Sequence, residues 1–221
     1  MPVRSDVEPI LTVNAPASSY DLVLLADVKD ELEISGSTYD VKLARWITSA
    51  SQRCMSYTHR VFAVETVTEV WRLPLWRHPS PWLPASSELV VSRWPIQVIH
   101  SIVENANPAL TLGTDFEADM GSGQIWRLDQ LGNRIHWNTQ TVTVNYDGGY
   151  TSDDPKLADA QLAAMLLVKL RYAEQGARDP NLRQENIVGV VERQWYIPAA
   201  KESAMPPEAQ DLLAAYCEAL V

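Results

Sequence analysis

The sequence predicts an α+β fold, in which two N-terminal helices and a long central helix form a bundle with a β-rich insert and an extended C-terminal arm. Apolar residues recur at helical spacing before residue 60, alternate with polar residues between about 61 and 150, and fill a helical segment after Pro155. At 221 residues the chain can bury a core. We expect an N-terminal arm (1–24), one α+β domain (25–177) and a C-terminal arm with a terminal helix (178–221).

Two helices are predicted before the insert. The first, "LADVKDELEI", has one apolar face made by Leu25, Val28 and Leu32. The second runs from about Tyr39 to His59, with Ser37 as its expected N-cap. Its apolar residues follow alternating spacings of four and three, which predicts a single seam made of Leu43, Ile47, Ala50, Cys54 and Tyr57.

The insert shows the signals of β-structure. The segments "RVFAVETVTEVWRL", "IQVIHSIV" and "TVTVNYDGGY" are rich in β-branched and aromatic residues. The segment "DFEADMGSGQIWRL" predicts a hairpin that turns around Gly121 and Gly123. Residues 61 to 150 are therefore expected to form a β-rich insert between helices.

The central helix has clear start and stop signals. Asp154 can cap it, Pro155 suits its first position, and Gly176 can end it. At ~1.5 Å per residue the helix is about 30 Å long. Its middle, Leu162 to Val168, is apolar on all sides, so we expect other elements to surround it.

The sequence offers no catalytic, cofactor or metal site, and we predict a protein that is not an enzyme. Its four histidines lie in different elements without HxH or HExxH spacing. The glycine pairs of "GSG" and "DGG" lead into no phosphate-binding helix and are interpreted as turns. The two cysteines, Cys54 and Cys217, are interpreted as buried thiols in separate helices.

Charge and hydropathy exclude two further classes of protein. The formal net charge is −10, and basic residues are scattered among acids, which argues against tight binding of nucleic acid. The longest purely apolar run, "LAAMLLV", is too short to span a bilayer, so no membrane contact is expected. The first residues lack the apolar region of a signal peptide, and a cytoplasmic product is expected.

Two aromatic segments are candidate interaction sites. Trp76 and Trp82 lie in a proline-rich loop, residues 73–87, which either projects as a contact or folds over the insert. Beyond Gly176 and Pro180, the strand-forming segment "IVGVVERQWYI" ends in aromatic residues with no remaining core to bury them. We interpret its end as a partner-binding arm made of Arg193, Trp195, Tyr196 and Ile197.

The order of these segments resembles a known family. Taken together, "ADVKDELEI", "YDVKLARWITSASQRCMSYTHRVF", "LVVSRWPIQVIHSIV", "VNYDGGYTSDDPKLADAQLAAMLL" and "PPEAQDLLAAY" resemble the gp6-like head–tail connector (adaptor) proteins of tailed bacteriophages and gene transfer agents. The phiE125 gp8-like branch is the most similar part of that family. The resemblance runs from about residue 21 to the C-terminus, and the loop at 73–87 departs from it.

The resemblance implies a structural role in the neck of a virion. Such a protein is made in the host cytoplasm and forms a homo-oligomeric ring, a dodecamer, beneath the capsid portal. The ring joins the portal protein to a tail-side stopper or tail-completion protein, and double-stranded DNA passes through its channel without tight binding. The arm residues would contact the portal, whereas the terminal helix either joins this interface or packs on the other helices through Leu212, Leu213 and Tyr216.

Other functions stay open at this stage. The first alternative is a head-closure or tail-completion neck protein, which forms a different ring of the same neck. A small phage-encoded enzyme is less well supported, because no acid, base or nucleophile constellation is visible. A DNA-binding module is opposed by the net charge.

Overall fold

The structure, a computed structural model, describes residues 9–73, 88–176, 184–187, 191–194 and 205–217, with the side chains of 175, 176, 184–187 and 191–194 not described. These residues fall into two compact units. The β unit comprises residues 9–20, 60–73 and 88–157, and the helical unit comprises the described residues of 21–59 and 158–217. Both helices and sheets are present, so the α+β class is confirmed. The expected domain boundaries stay a prediction.

The β unit contains two antiparallel sheets. The first has the strand order β1-β2-β8-β4 and is made of β1 (Ile10–Ala15), β2 (Glu65–Arg72), β8 (Thr141–Gly148) and β4 (Ile96–Glu104). The second has the order β3-β6-β5, with β7 paired to β6, and is made of β3 (Glu88–Val90), β6 (Gln124–Leu128), β5 (Phe116–Asp119) and β7 (Arg134–Ile135). Among these strands, short hairpin connections join β5 to β6 and β6 to β7, whereas neighbouring strands of the first sheet are separated by long stretches of sequence.

One apolar cluster joins the two sheets. Along β2 and β8 every second side chain is buried, as the two-residue period of a strand requires. The buried residues of the first sheet and those of the second belong to the same cluster, which includes Val67, Trp71, Val144, Tyr146, Leu89, Phe116 and Ile125. The β unit therefore has a core of its own.

The predicted hairpin is confirmed, whereas strand β1 was not predicted. Strands β5 and β6 pair antiparallel, with Asp119 opposite Gln124. Gly123 in the turn has φ 72° and leaves no room for a Cβ beside Trp94. Strand β1 lies within the segment expected to be an arm and pairs with β2 along one edge of the first sheet. Prolines at both flanks concealed it, although an edge position tolerates them.

The helical unit contains α1 (Leu25–Glu31), α2 (Asp40–Thr58), α3 (Ala158–Gly176) and α4 (Pro207–Cys217). Helix α3 packs against α2 and α4, α2 also contacts α4, and α1 packs on α2. The apolar seam of α2 is confirmed for Leu43, Ile47, Ala50 and Cys54, which are all buried. The expectation for Tyr57 is wrong, because its side chain is 38% exposed at the end of the helix.

The observed starts and ends of the helices agree in part with those predicted from the sequence. Ser37 is not an N-cap, because α2 begins at Asp40 and its N-cap is Tyr39, without a side-chain hydrogen bond. At the central helix the Asp154 carboxylate accepts a hydrogen bond of 2.9 Å from the Lys156 amide, at a 3-10 turn that leads into α3. The helix ends at Gly176, as predicted.

Two findings about the part of the chain that the structure describes concern membranes and metal ions. In this part of the chain no helix is long and apolar enough to cross a membrane. Nor does the same part contain a group of three or more His, Cys, Asp or Glu residues that could hold a metal ion.

Candidate interaction surfaces

The predicted arm is described only at its base. Strand β9 (Gln184–Ile187) pairs antiparallel with β10 (Val191–Gln194), and Arg193 lies opposite Glu185. The expected strand character is therefore present at Ile187 and in Val191–Gln194. Trp195, Tyr196 and Ile197 lie outside the described residues, as do Trp76 and Trp82. The contacts assigned to these five aromatic and apolar residues stay predictions.

Helix α4 packs against the rest of the helical unit. Leu213 has no exposed surface and Tyr216 is only 6% exposed, whereas Leu212 is partly exposed. Helix α4 contacts both α3 and α2, which agrees with the burial of these two side chains. Of the three residues, Leu212 is therefore the one with surface left for a partner.

Helix α3 carries an exposed apolar stripe. Leu162 is 50% exposed and Leu170 is 48% exposed, and the partly buried Leu166 lies between them at spacings of four residues. We call these three residues the α3 apolar face. The buried side of α3 is made of Ala160, Ala163, Ala164, Leu167 and Val168, and it adjoins the α3 apolar face at Ala163. The expectation that α3 is surrounded on all sides is thus wrong for the isolated chain, which leaves an apolar face open to a partner.

The outer face of the second sheet presents an aromatic ring with a stacked cation. The Arg134 guanidinium carbon lies 3.9 Å from the centroid of the Trp126 ring, and its Nε donates to Glu117 Oε2 at 3.1 Å. The indole Nε1 of Trp126 donates to Glu88 at 3.2 Å. Since Trp and Arg are enriched at interfaces, this arrangement is a second candidate contact surface.

Two glutamates on the inner face of β2 were not singled out from the sequence. Glu65 accepts hydrogen bonds from Tyr20 at 2.6 Å and from Arg93 Nε at 2.8 Å. Glu69 is fully buried, and its Oε1 accepts hydrogen bonds from the Tyr146 hydroxyl and from the Ser92 amide. Their spacing gave a signal, because residues 65, 67, 69 and 71 must share one face of a strand.

The buried pair of Glu69 and Tyr146 has a structural role. Burial raises the pKa of Glu69, although the hydrogen bonds from Tyr146 and Ser92 act in the opposite direction. Burial likewise raises the pKa of the Tyr146 hydroxyl, and the neighbouring Glu69 raises it further. Neither side chain has exposed surface that a substrate could reach. The network therefore fixes the position of the loop before β4 against the first sheet.

Comparisons with known proteins concern the fold. No family model and no curated protein matches the sequence. A chain from the neck of an empty gene transfer agent (GTA) particle, computed with C6 symmetry, is similar in structure, with TM-score 0.52 and 16% identity. A chain from the virion of a native GTA particle has TM-score 0.54 and 13% identity. Each comparison covers 94% of both chains. The chain therefore has the fold of proteins found in the neck and virion of gene transfer agents.

Proposed function

We propose that this protein is a structural head–tail connector, or adaptor, of a phage or gene transfer agent virion, within the gp6-like family. The observation that carries the proposal is the structural match, which covers 94% of this chain and 94% of a neck chain. A match of this extent involves most of the chain and not one common motif. The resemblance of the sequence segments to the same family supports it independently.

The connector acts as a ring beneath the portal, and we propose twelve copies. The neck with the similar chain was computed with C6 symmetry, which is compatible with a ring whose copy number is a multiple of six. The α3 apolar face supplies exposed surface for a contact between subunits. A head-to-tail interface that closes on rotation makes such a ring without any catalytic group.

The ring lines the channel through which double-stranded DNA passes. A net charge of −10 opposes tight contact with DNA, because an acidic protein repels the negatively charged phosphates. DNA would thus slide through the ring during packaging and ejection.

The C-terminal arm attaches the ring to the portal protein. Arg193, Trp195, Tyr196 and Ile197 combine a cation with large apolar side chains, the residue types that dominate binding energy at interfaces. On the other side the ring meets a stopper or tail-completion protein. The alternative within the same neck is a head-closure or tail-completion ring, which would bind the connector instead of the portal.

The test is a pull-down with purified portal protein. Truncation after Gly176 is unsuitable, since it removes α4 and its buried Leu213. We expect Trp195→Ala with Tyr196→Ala to weaken portal binding at least tenfold. The matched control is Leu131→Ala, because this leucine is 86% exposed in the turn between β6 and β7. Equal binding by the arm variant and the wild type would contradict the role of the arm, and capture of a connector ring instead of the portal would favour the alternative.

A further inference from the structure

The exposed side of α2 is basic. The helix contains three basic residues and one acid, Asp40. Lys42, Arg45 and Arg53 lie on the side turned away from the buried seam, at helical spacings that span about 16 Å. The Lys42 ammonium lies 5.1 Å from the centroid of the Trp46 ring on the same side. We call Lys42, Arg45 and Arg53 the α2 basic face.

The exposed side of α1 is acidic. Asp27, Asp30 and Glu31 are exposed, and their spacings of three and four residues place them on one side of α1, whereas Val28 is its buried residue. Glu31 is bound by Lys169 of α3 at 2.6 Å, so this part of the acidic side is held by the helical unit. We call Asp27, Asp30 and Glu31 the α1 acidic face.

Each charged face has a large exposed aliphatic side chain beside it. Val41, four residues before Arg45, is 70% exposed, and Leu24, three residues before Asp27, is 67% exposed. An apolar contact surrounded by charges is the usual arrangement of a protein interface. In such an interface the apolar contact contributes affinity, whereas the charges fix the register and accelerate association.

We propose that the α2 basic face of one copy docks against the α1 acidic face of the next copy in the ring. This inference rests on the proposed connector function and names one contact between its subunits. The two faces are different patches of opposite charge on one chain, so their pairing is head-to-tail and propagates around a ring. The complementary charges favour a second copy as the occupant.

Duplex DNA is the competing occupant of the α2 basic face. Three cations along about 16 Å of helix match the reach of several phosphates. The net charge of −10 opposes the approach of DNA phosphates and also that of a second copy, but only a second copy brings an acidic face that is matched by its own basic face, so that each contact can repeat around a ring. Charge-reversal variants distinguish duplex DNA from a second copy as the occupant.

The experiment uses two charge-reversal variants of the full chain. The first is Lys42→Glu with Arg45→Glu, and the second is Asp27→Lys with Asp30→Lys; all four positions are exposed. Alone, each variant places like charges on both faces, so we expect at least a tenfold loss of self-association in sedimentation velocity at low salt. Mixed in equal amounts, the two variants regain opposite faces and should associate again. The matched control, Arg72→Glu with Arg171→Glu, makes the same change in charge as the first variant at exposed positions outside both faces, and it should behave as the wild type.

Several outcomes would overturn the proposal. Wild-type protein that stays monomeric at high concentration and low salt, a first variant that assembles normally, or a mixture that fails to associate would each do so. Loss of duplex binding by the first variant, with normal assembly, would assign the face to DNA. Electron microscopy with portal rings separates this contact from the function. A ring formed equally well by wild type and by each variant alone would reject the contact and keep the connector function.

Discussion

The guanidinium carbon of Arg60 lies 3.2 Å from the centroid of the Trp94 ring, and its Nη2 donates to the Trp94 carbonyl oxygen at 2.8 Å. The same cation lies 5.5 Å from the centroid of the Tyr150 ring. Arg60 is only 7% exposed, so its charge is largely removed from water. The aromatic rings and the carbonyl therefore stabilise a buried cation at the start of the insert.

Arg60→Lys should lower the free energy of unfolding by about 1–3 kcal/mol. Lysine keeps the charge but cannot stack a planar group on Trp94 while donating to its carbonyl. The measurement is urea denaturation followed by tryptophan fluorescence.

Arg134→Lys is the matched control for this prediction. Arg134 also stacks on a tryptophan, but its side chain is 51% exposed, so we expect a change below about 1 kcal/mol. If both variants lost the same free energy of unfolding, burial would not be the reason for the importance of Arg60.

Glu69→Gln should change how stability depends on pH. Because burial raises the pKa of Glu69, the folded state holds its proton more tightly than the unfolded state does. The resulting stabilisation is fully present below the ordinary pKa of glutamate and is lost as the pH rises through the raised value. The wild type should therefore lose free energy of unfolding relative to Glu69→Gln between acidic and neutral pH, measured by urea denaturation at several pH values.

Asp129→Asn should change the pH dependence of the free energy of unfolding in the direction opposite to Glu69→Gln. Hydrogen bonds from the backbone and side chain of Asn133 lower the pKa of Asp129, so its stabilisation is present above the ordinary pKa and is lost on acidification. The difference between wild type and this variant should grow as the pH rises. If the free energy of unfolding of Glu69→Gln depended on pH in the same way as that of the wild type, Glu69 would have the same pKa in the folded and unfolded states.

Leu162→Glu with Leu170→Glu should prevent assembly while leaving the subunit folded. Both side chains are about half exposed, so the free energy of unfolding should fall by less than about 1 kcal/mol. Charges on the α3 apolar face would nevertheless have to be desolvated at a subunit contact. Sedimentation velocity measures assembly, and urea denaturation measures stability.

The contrasting variant is Leu167→Ala on the buried side of α3. Leu167 is 7% exposed, and its truncation should lower the free energy of unfolding by about 2–5 kcal/mol. Under conditions where it stays folded, this variant should assemble. Normal assembly by the double glutamate variant would exclude the α3 apolar face as a contact.

Local patterns in the sequence predicted much of the fold. The seam of α2 followed from the spacing of Leu43, Ile47 and Cys54, since a helical period places them on one side. The β5–β6 hairpin and the end of α3 at Gly176 followed from glycine positions. These features depend on residues that are close together in the chain.

Features that depend on distant residues could not be predicted in this way. Strand β1 exists because Ile10 to Ala15 pair with β2, more than fifty residues later. The burial of Glu69 depends on Tyr146, whose hydroxyl donates to Oε1 of the carboxylate from 77 residues away in the chain. The exposure of Leu162 depends on which helices reach α3, and its composition does not fix that. The arm that ends in Ile197 stays a prediction, whereas the burial of Leu213 is now described.

The most direct test of the proposed function is electron microscopy of the protein mixed with its portal protein. We expect a ring of added density beneath the portal, with twelvefold symmetry and an open central channel. The same ring should be absent when the arm variant Trp195→Ala with Tyr196→Ala replaces the wild type. Portal particles without added density, at protein concentrations that saturate binding, would contradict the assignment of this chain as a head–tail connector.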